Sequence, residues 1–202
     1  MEASEKRREG SAMDQEGGTE SGTIDSVLAH NRAFVAGGEF ARYATDKYPD
    51  KKLAVVSCMD TRLTELLAAA LGLKNGDAKI IKVAGAEVAH PFGSVMRSLL
   101  IAVCELGVED IMIVAHTNCG AQHMSGKEMV ANMERLGVSA ERIEFARHCG
   151  IDFDKWLAGF GDTEEAVRKS VDMVANHPVM PPHVRVIGFI MDSDTGKLSV
   201  VC

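Results

Sequence analysis

Ala54-Val55-Val56-Ser57-Cys58-Met59-Asp60-Thr61-Arg62 begins as an apolar, β-branched run and ends abruptly in a thiol, a carboxylate and a guanidinium at alternate positions. Ile111-Met112-Ile113-Val114-Ala115 is a second such run, and it ends in His116-Thr117-Asn118-Cys119-Gly120. Short, nearly continuous apolar runs read as strands buried on both faces, the kind that parallel sheets use. Two buried strands that both terminate in metal-ligand chemistry point to one site. The reading is a zinc centre of Cys58, His116 and Cys119, with Asp60 and Arg62 beside it.

Outward from these runs the chain alternates strand and helix. Leu53–Cys58 is the first strand, and the Leu- and Ala-rich segment 63–71 is its crossover helix. A second strand is expected over 78–83, a helix over 94–106 stopped by Gly107, and a third strand over 110–115. Helices follow at 127–136, 140–148 and 153–160, and another, capped by Asp162 or Thr163, runs to about Asn176. Strands 184–190 and 198–201 close the chain around an Asp194-Thr195-Gly196 turn. Upstream, a helix to about Ala36 and a second short one over 39–46 are expected. This pattern predicts an α/β fold: a mainly parallel sheet of about five strands, helices on both faces, the last strand antiparallel. In such sheets ligands sit beyond the carboxyl ends of the strands, where the strand order reverses. Cys58 and His116 stand at two such ends, which requires the first strand to lie between the second and the third.

The bulk numbers agree with one domain. Residues 1–22 are rich in Glu, Gly and Ser without periodicity and read as a disordered tail. Residues 23–202 then form a single zinc-binding domain with a core of ordinary size. Hydrophobic residues make up 46% of the chain and the net charge is −7, with no basic stripe, so nucleic acid is excluded as a partner. No apolar stretch is long enough to span a bilayer, and the charged N-terminus lacks the apolar core of a secretory signal. Five cysteines are an odd number for a disulfide framework, which fits reduced thiols and a cytoplasmic protein.

Zinc favours thiolate and imidazole ligands in a tetrahedron, and catalytic sites keep one of the four positions open. Cys58, His116 and Cys119 supply three ligands, and no further Cys or His lies close to Cys58, so the pattern is open. Asp60 has two readings. Held bidentate by Arg62 it is an oriented hydrogen-bond acceptor; released, it is an oxygen ligand able to take the fourth position and close the site. Two thiolates already neutralise the dication. Proton loss from zinc-bound water is therefore expected above the value of about 7 seen with three neutral imidazoles, with activity favoured at alkaline pH.

Cys-x-Asp-x-Arg followed by His-x-x-Cys-Gly at two strand ends resembles the β-class carbonic anhydrases over roughly residues 24–202, and His90-Pro91-Phe92-Gly93-Ser94-Val95-Met96-Arg97-Ser98-Leu99-Leu100 resembles their compact bacterial branch. The resemblance implies one Zn2+ per chain on Cys58, His116 and Cys119, and an Asp60–Arg62 dyad. It also implies a substrate pocket lined by backbone around Gly120. The implied reaction is reversible hydration of carbon dioxide to bicarbonate and a proton, by attack of zinc-bound hydroxide. The implied assembly is a homodimer or a dimer of dimers. Two alternatives stand beside it: a COS or CS2 hydrolase on the same zinc site, and a non-catalytic zinc protein with Asp60 as permanent fourth ligand. The chain departs from the family pattern at Val83, where many members have Asn, at Ala115, commonly Gly, and at Asn118, commonly Asp.

Overall fold

The computed structural model describes residues 22–202, so apart from Gly22 the expected tail lies outside the described residues. The chain divides into two compact units, one ending at Ala44 and one spanning Thr45–Cys202. In the first, helix α1 runs Thr23–Ala36 and buries none of its residues; of its apolar side chains Ile24, Val27 and Leu28 are exposed and Phe34 is half-buried. The expected second helix is a single 3-10 turn, Glu39–Tyr43, shorter than 39–46. Gly38, at φ 70°, starts it, and Ala44 turns extended and ends it.

The second unit carries the sheet. Strands β1 (Leu53–Cys58), β2 (Ala78–Val83), β3 (Asp110–His116), β4 (Arg185–Met191) and β5 (Leu198–Val200) lie in the order β2-β1-β3-β4-β5. The first four are parallel and β5 is antiparallel to β4. β1 therefore lies between β2 and β3, and the order reverses between β1 and β3, as the placement of Cys58 and His116 required.

Alternation along β1 divides the core between two faces. Val55 packs with Leu63 and Leu67 of α2 (Leu63–Ala70), with Val114 of β3 and with Met191 of β4. Ala54 and Val56 pack with Met96 and Leu99 of α3 (Ser94–Cys104) and with Ile111 and Ile113. Helix α7 (Thr163–Ala175) contributes Val167 to the first cluster and Val174 to the second. It can lie close on β4 because residue 188 is glycine: a Cβ there would run into Val167. Asp162 caps α7 by accepting from the Glu165 amide at 2.7 Å.

Helices α4 (Gly126–Arg135), α5 (Ala140–His148) and α6 (Phe153–Trp156) enclose a small separate cluster of Val130, Ile143 and Phe153. α6 is one turn, not the helix expected to Phe160. Residues beyond it are drawn off by other partners: the Gly159 amide donates to the Met124 carbonyl, and Phe160 accepts from the His123 amide at 2.9 Å. Helical continuation would break both. α3 likewise stops two residues short of Leu106, where the Val108 amide donates back to Ala102 and Gly107 adopts φ 73°.

Candidate metal centre

Parallel pairing sets the site. Ala54–Ser57 lie opposite Ile111–Val114, so the carboxyl ends of β1 and β3 are level and their terminal side chains meet. Cys58 closes β1, His116 closes β3, and the turn after His116 returns Cys119 to the same point. The three ligand atoms lie within 4.8 Å of one another, and all three residues are buried. Asn118 makes that return possible with φ 53°, a left-handed conformation that asparagine tolerates better than most residues.

The donors fit zinc. Two thiolates on a tetrahedral ion at Zn–S of about 2.3 Å stand about 3.8 Å apart, and the Cys58 and Cys119 sulfurs are 3.8 Å apart. His116 Nδ1 lies 2.8 Å from the Thr117 carbonyl oxygen, to which it donates, leaving Nε2 with its lone pair. That Nε2 is fully buried and has no hydrogen-bond partner, an orphaned acceptor pointing at the two sulfurs. Burial pushes the Cys58 thiol up. The His116 ring beside it, with the Asp60 and Gly85 amides and Cys119, outweighs burial and brings the thiol down to about 7. His116 is raised in return, first by the Cys58 sulfur beside it. Cys119 is pushed up, first by burial.

Asp60 is held open. Arg62 Nε donates to Oδ1 at 3.0 Å and Nη2 to Oδ2 at 2.9 Å, a bidentate grip, while the Arg62 amide donates to Oδ1 at 2.9 Å. These bonds hold the Asp60 carboxyl far below the usual carboxylate range. Oδ2 lies 3.8 Å from His116 Nε2, beside the three ligands and outside their cluster. Arg62 is itself braced: Nη2 also donates to the Asn118 carbonyl at 2.9 Å and Nη1 to Ser193 Oγ at 3.3 Å. Ser193 is buried, lies 3.2 Å from Thr117 Oγ1, and donates its amide to that same oxygen.

Thus the structure brings Cys58, His116 and Cys119 together and seats Asp60 and Arg62 at their edge. Gly120 follows directly but is exposed, with open space around its Cα. Four contributors went unread in the sequence: Thr117, Ser193, Gly85 and Lys82. Gly85, at φ 67°, turns its amide toward Cys58, and a Cβ there would stand 2.9 Å from Phe160 Cε1. Its signal was the lone glycine after β2. Lys82 donates to the Leu63 carbonyl at 3.1 Å; burial lowers it, while the charges of Cys58 and Asp60 act on it in the opposite sense. Val83 and Ala115, two of the departures noted above, serve the frame. Val83 pairs with Cys58 and its carbonyl accepts the Met59 amide, and Ala115 is buried beneath the site.

Residues 53–198 match the family model described as carbonic anhydrase. Among curated proteins, YtiB of Bacillus subtilis (strain 168), which carries a provisional carbonic anhydrase name, is 46% identical over 178 residues, covering 88% of this chain and 95% of its own. A carbon disulfide hydrolase of Acidithiobacillus thiooxidans is 29% identical over 158 residues, covering 74% of this chain and 76% of its own. Among solved structures, β-carbonic anhydrase isoform I of Trichomonas vaginalis superposes with a TM-score of 0.78 at 30% identity, over 89% of this chain and 97% of that one.

Proposed function

This chain belongs to the β-carbonic anhydrase family, and from that membership we propose that it is a zinc-dependent carbonate dehydratase, catalysing CO2 + H2O ⇌ HCO3− + H+. The observation that carries the proposal is the pairing of an orphaned, buried His116 Nε2 with two sulfurs 3.8 Å apart, beside a carboxylate fully engaged by Arg62.

Cys58, His116 and Cys119 would hold one zinc ion per chain, and its Lewis acidity would ease proton loss from a water molecule. Asp60 orients that water. With both oxygens bound by Arg62 it stays anionic, so it accepts a hydrogen bond from the nucleophile and directs the remaining lone pair toward the carbon of CO2. Arg62 keeps Asp60 from the ligand position, and Asn118, Thr117 and Ser193 keep Arg62 in place. Gly120, exposed beside Cys119, leaves an open approach, and its backbone lines the CO2 pocket. The proton leaves to buffer.

A second reading, hydrolysis of COS or CS2 on the same centre, is favoured by the similarity to the carbon disulfide hydrolase. The third, a closed zinc protein with Asp60 as ligand, is opposed by the Arg62 grip. Residues 23–202 act as one zinc-binding domain, and the protein works in the cytoplasm. We read the assembly as a homodimer or dimer of dimers. Its support is the apolar groove on α3, where Phe92 is 74% exposed beside Pro91, Met96, Leu100 and Ile101. Light scattering on the intact protein tests the assembly. The function is tested by comparing CO2 and CS2 turnover on metal-analysed protein. CO2 hydration dominant supports the proposal; CS2 hydrolysis without CO2 hydration replaces it with the second reading.

A further inference from the structure

We propose that a cavity behind the metal-bearing loops is a binding site for a small organic ammonium compound with an apolar body, and that Glu87 is its counter-ion. The cavity holds about 510 Å3, within the range of small-molecule sites. Its walls come from the turn after β2, the chain after Cys119, the stretch beyond α6, and α7. Most of the lining is apolar, including Val88, Met124, Leu157 and Met173. Trp156 is among the lining residues and is 69% exposed, an aromatic ring within reach of a bound cation.

Three charged side chains line it: Glu87, Lys155 and Lys169. Both lysines already have carboxylates, Lys155 with Asp152 at 3.0 Å and Lys169 with Glu165 at 2.6 Å. The Glu87 carboxylate has no hydrogen bond or ion pair among the described residues, and Lys169 reaches it only as a longer-range charge. Its carboxyl is turned inward: Oε2 lies 3.1 Å from where a Cβ on Gly85 would stand. Burial pushes this carboxyl up, as expected for an acid that has lost water and gained no donor. An adjoining cavity of about 230 Å3 shares Glu87 and Lys169 and adds Asp162 and Glu165. Across the two, three carboxylates (Glu87, Asp162, Glu165) face two ammonium groups (Lys155, Lys169).

A half-buried carboxylate without a donor is the costly element of this lining. A ligand ammonium supplies the missing donor and the missing charge, while its apolar body covers Val88, Met124 and Met173. A neutral ligand leaves Glu87 unpaired, and an anionic ligand adds repulsion. None of these residues belongs to the metal centre, so the site goes beyond the proposed hydration reaction.

Trp156 is the one tryptophan of the chain, so its emission reports occupancy directly. Zinc-loaded protein is titrated with benzylammonium, benzyl alcohol and benzoate. Saturable change is expected with benzylammonium, with the alcohol and benzoate weaker by about tenfold or more. Glu87→Gln, with unchanged circular dichroism and zinc content, should weaken benzylammonium by a similar factor. Ala158→Leu, which adds bulk to the lining from an exposed position, should weaken it too and decides the matter if Glu87→Gln does not fold. Absence of a saturable change, equal affinity for the three probes, or wild-type affinity in both variants overturns the proposal. The readout is independent of turnover, so failure here and failure of the hydration reading are separate results.

Discussion

Asp60 and Arg62 act as a unit because each removes the other's alternative. Arg62 spends its donors on both Asp60 oxygens and on the Asn118 carbonyl, and Asp60 is thereby kept anionic and apart from the three candidate ligands. Arg62→Ala releases the carboxylate toward the fourth zinc position, so kcat should fall by about 100-fold or more while zinc stays near one per chain. Stopped-flow hydration with metal analysis checks both, and full turnover in this variant would refute the dyad. Cys119→Ser replaces a thiolate with a poor neutral donor, so zinc affinity measured by chelator competition should drop sharply. Wild-type affinity would mean that Cys119 is not a ligand. These residues were legible because thiol, imidazole and carboxylate stood at the ends of apolar runs. Ser193 and Thr117 were not, since their contacts span separations of 131 and 76 residues and hydroxyls carry no local pattern.

Among the elements, those whose pattern is set by their own burial were readable. β1 and β3 are apolar on both faces because helices cover both, and their ends therefore announced the site. Elements defined by a distant partner were misjudged. α6 carries helical residues to Phe160 but unwinds after Trp156 because Gly159 and Phe160 hydrogen-bond to the loop after Cys119. The turn Ala84–Ala86 carries no local signal beyond a lone glycine, since its purpose, an amide aimed at Cys58, needs β1 beside it. On the face of the sheet that α3 covers, Leu99 is fully buried. Leu99→Ala should cost about 2–5 kcal/mol in chemical denaturation without changing zinc stoichiometry. Loss of zinc at unchanged stability would show that α3 supports the site rather than the core.

For the whole molecule the sheet order is the organising fact: the reversal between β1 and β3 makes one end of the sheet a crevice, and the metal donors converge there. No helix among the described residues is long and apolar enough to cross a membrane. Stability should carry the mark of Asp60. Its hydrogen bonds to Arg62 depress the carboxyl below its unfolded value near 4. The contribution is therefore present above pH 4 and lost as pH falls through the folded value. In thermal melts of metal-free protein, Asp60→Asn should be less stable than wild type at pH 7, and the gap should close as pH drops below about 4. A gap independent of pH would contradict this linkage. The central claim, an open and working zinc centre, is tested most directly by stopped-flow CO2 hydration on metal-analysed protein from about pH 7 to 9, the range in which a zinc-bound water with two thiolate ligands should lose its proton. Zinc near one per chain with turnover rising with pH is the predicted result; zinc present with no turnover at any pH would contradict it.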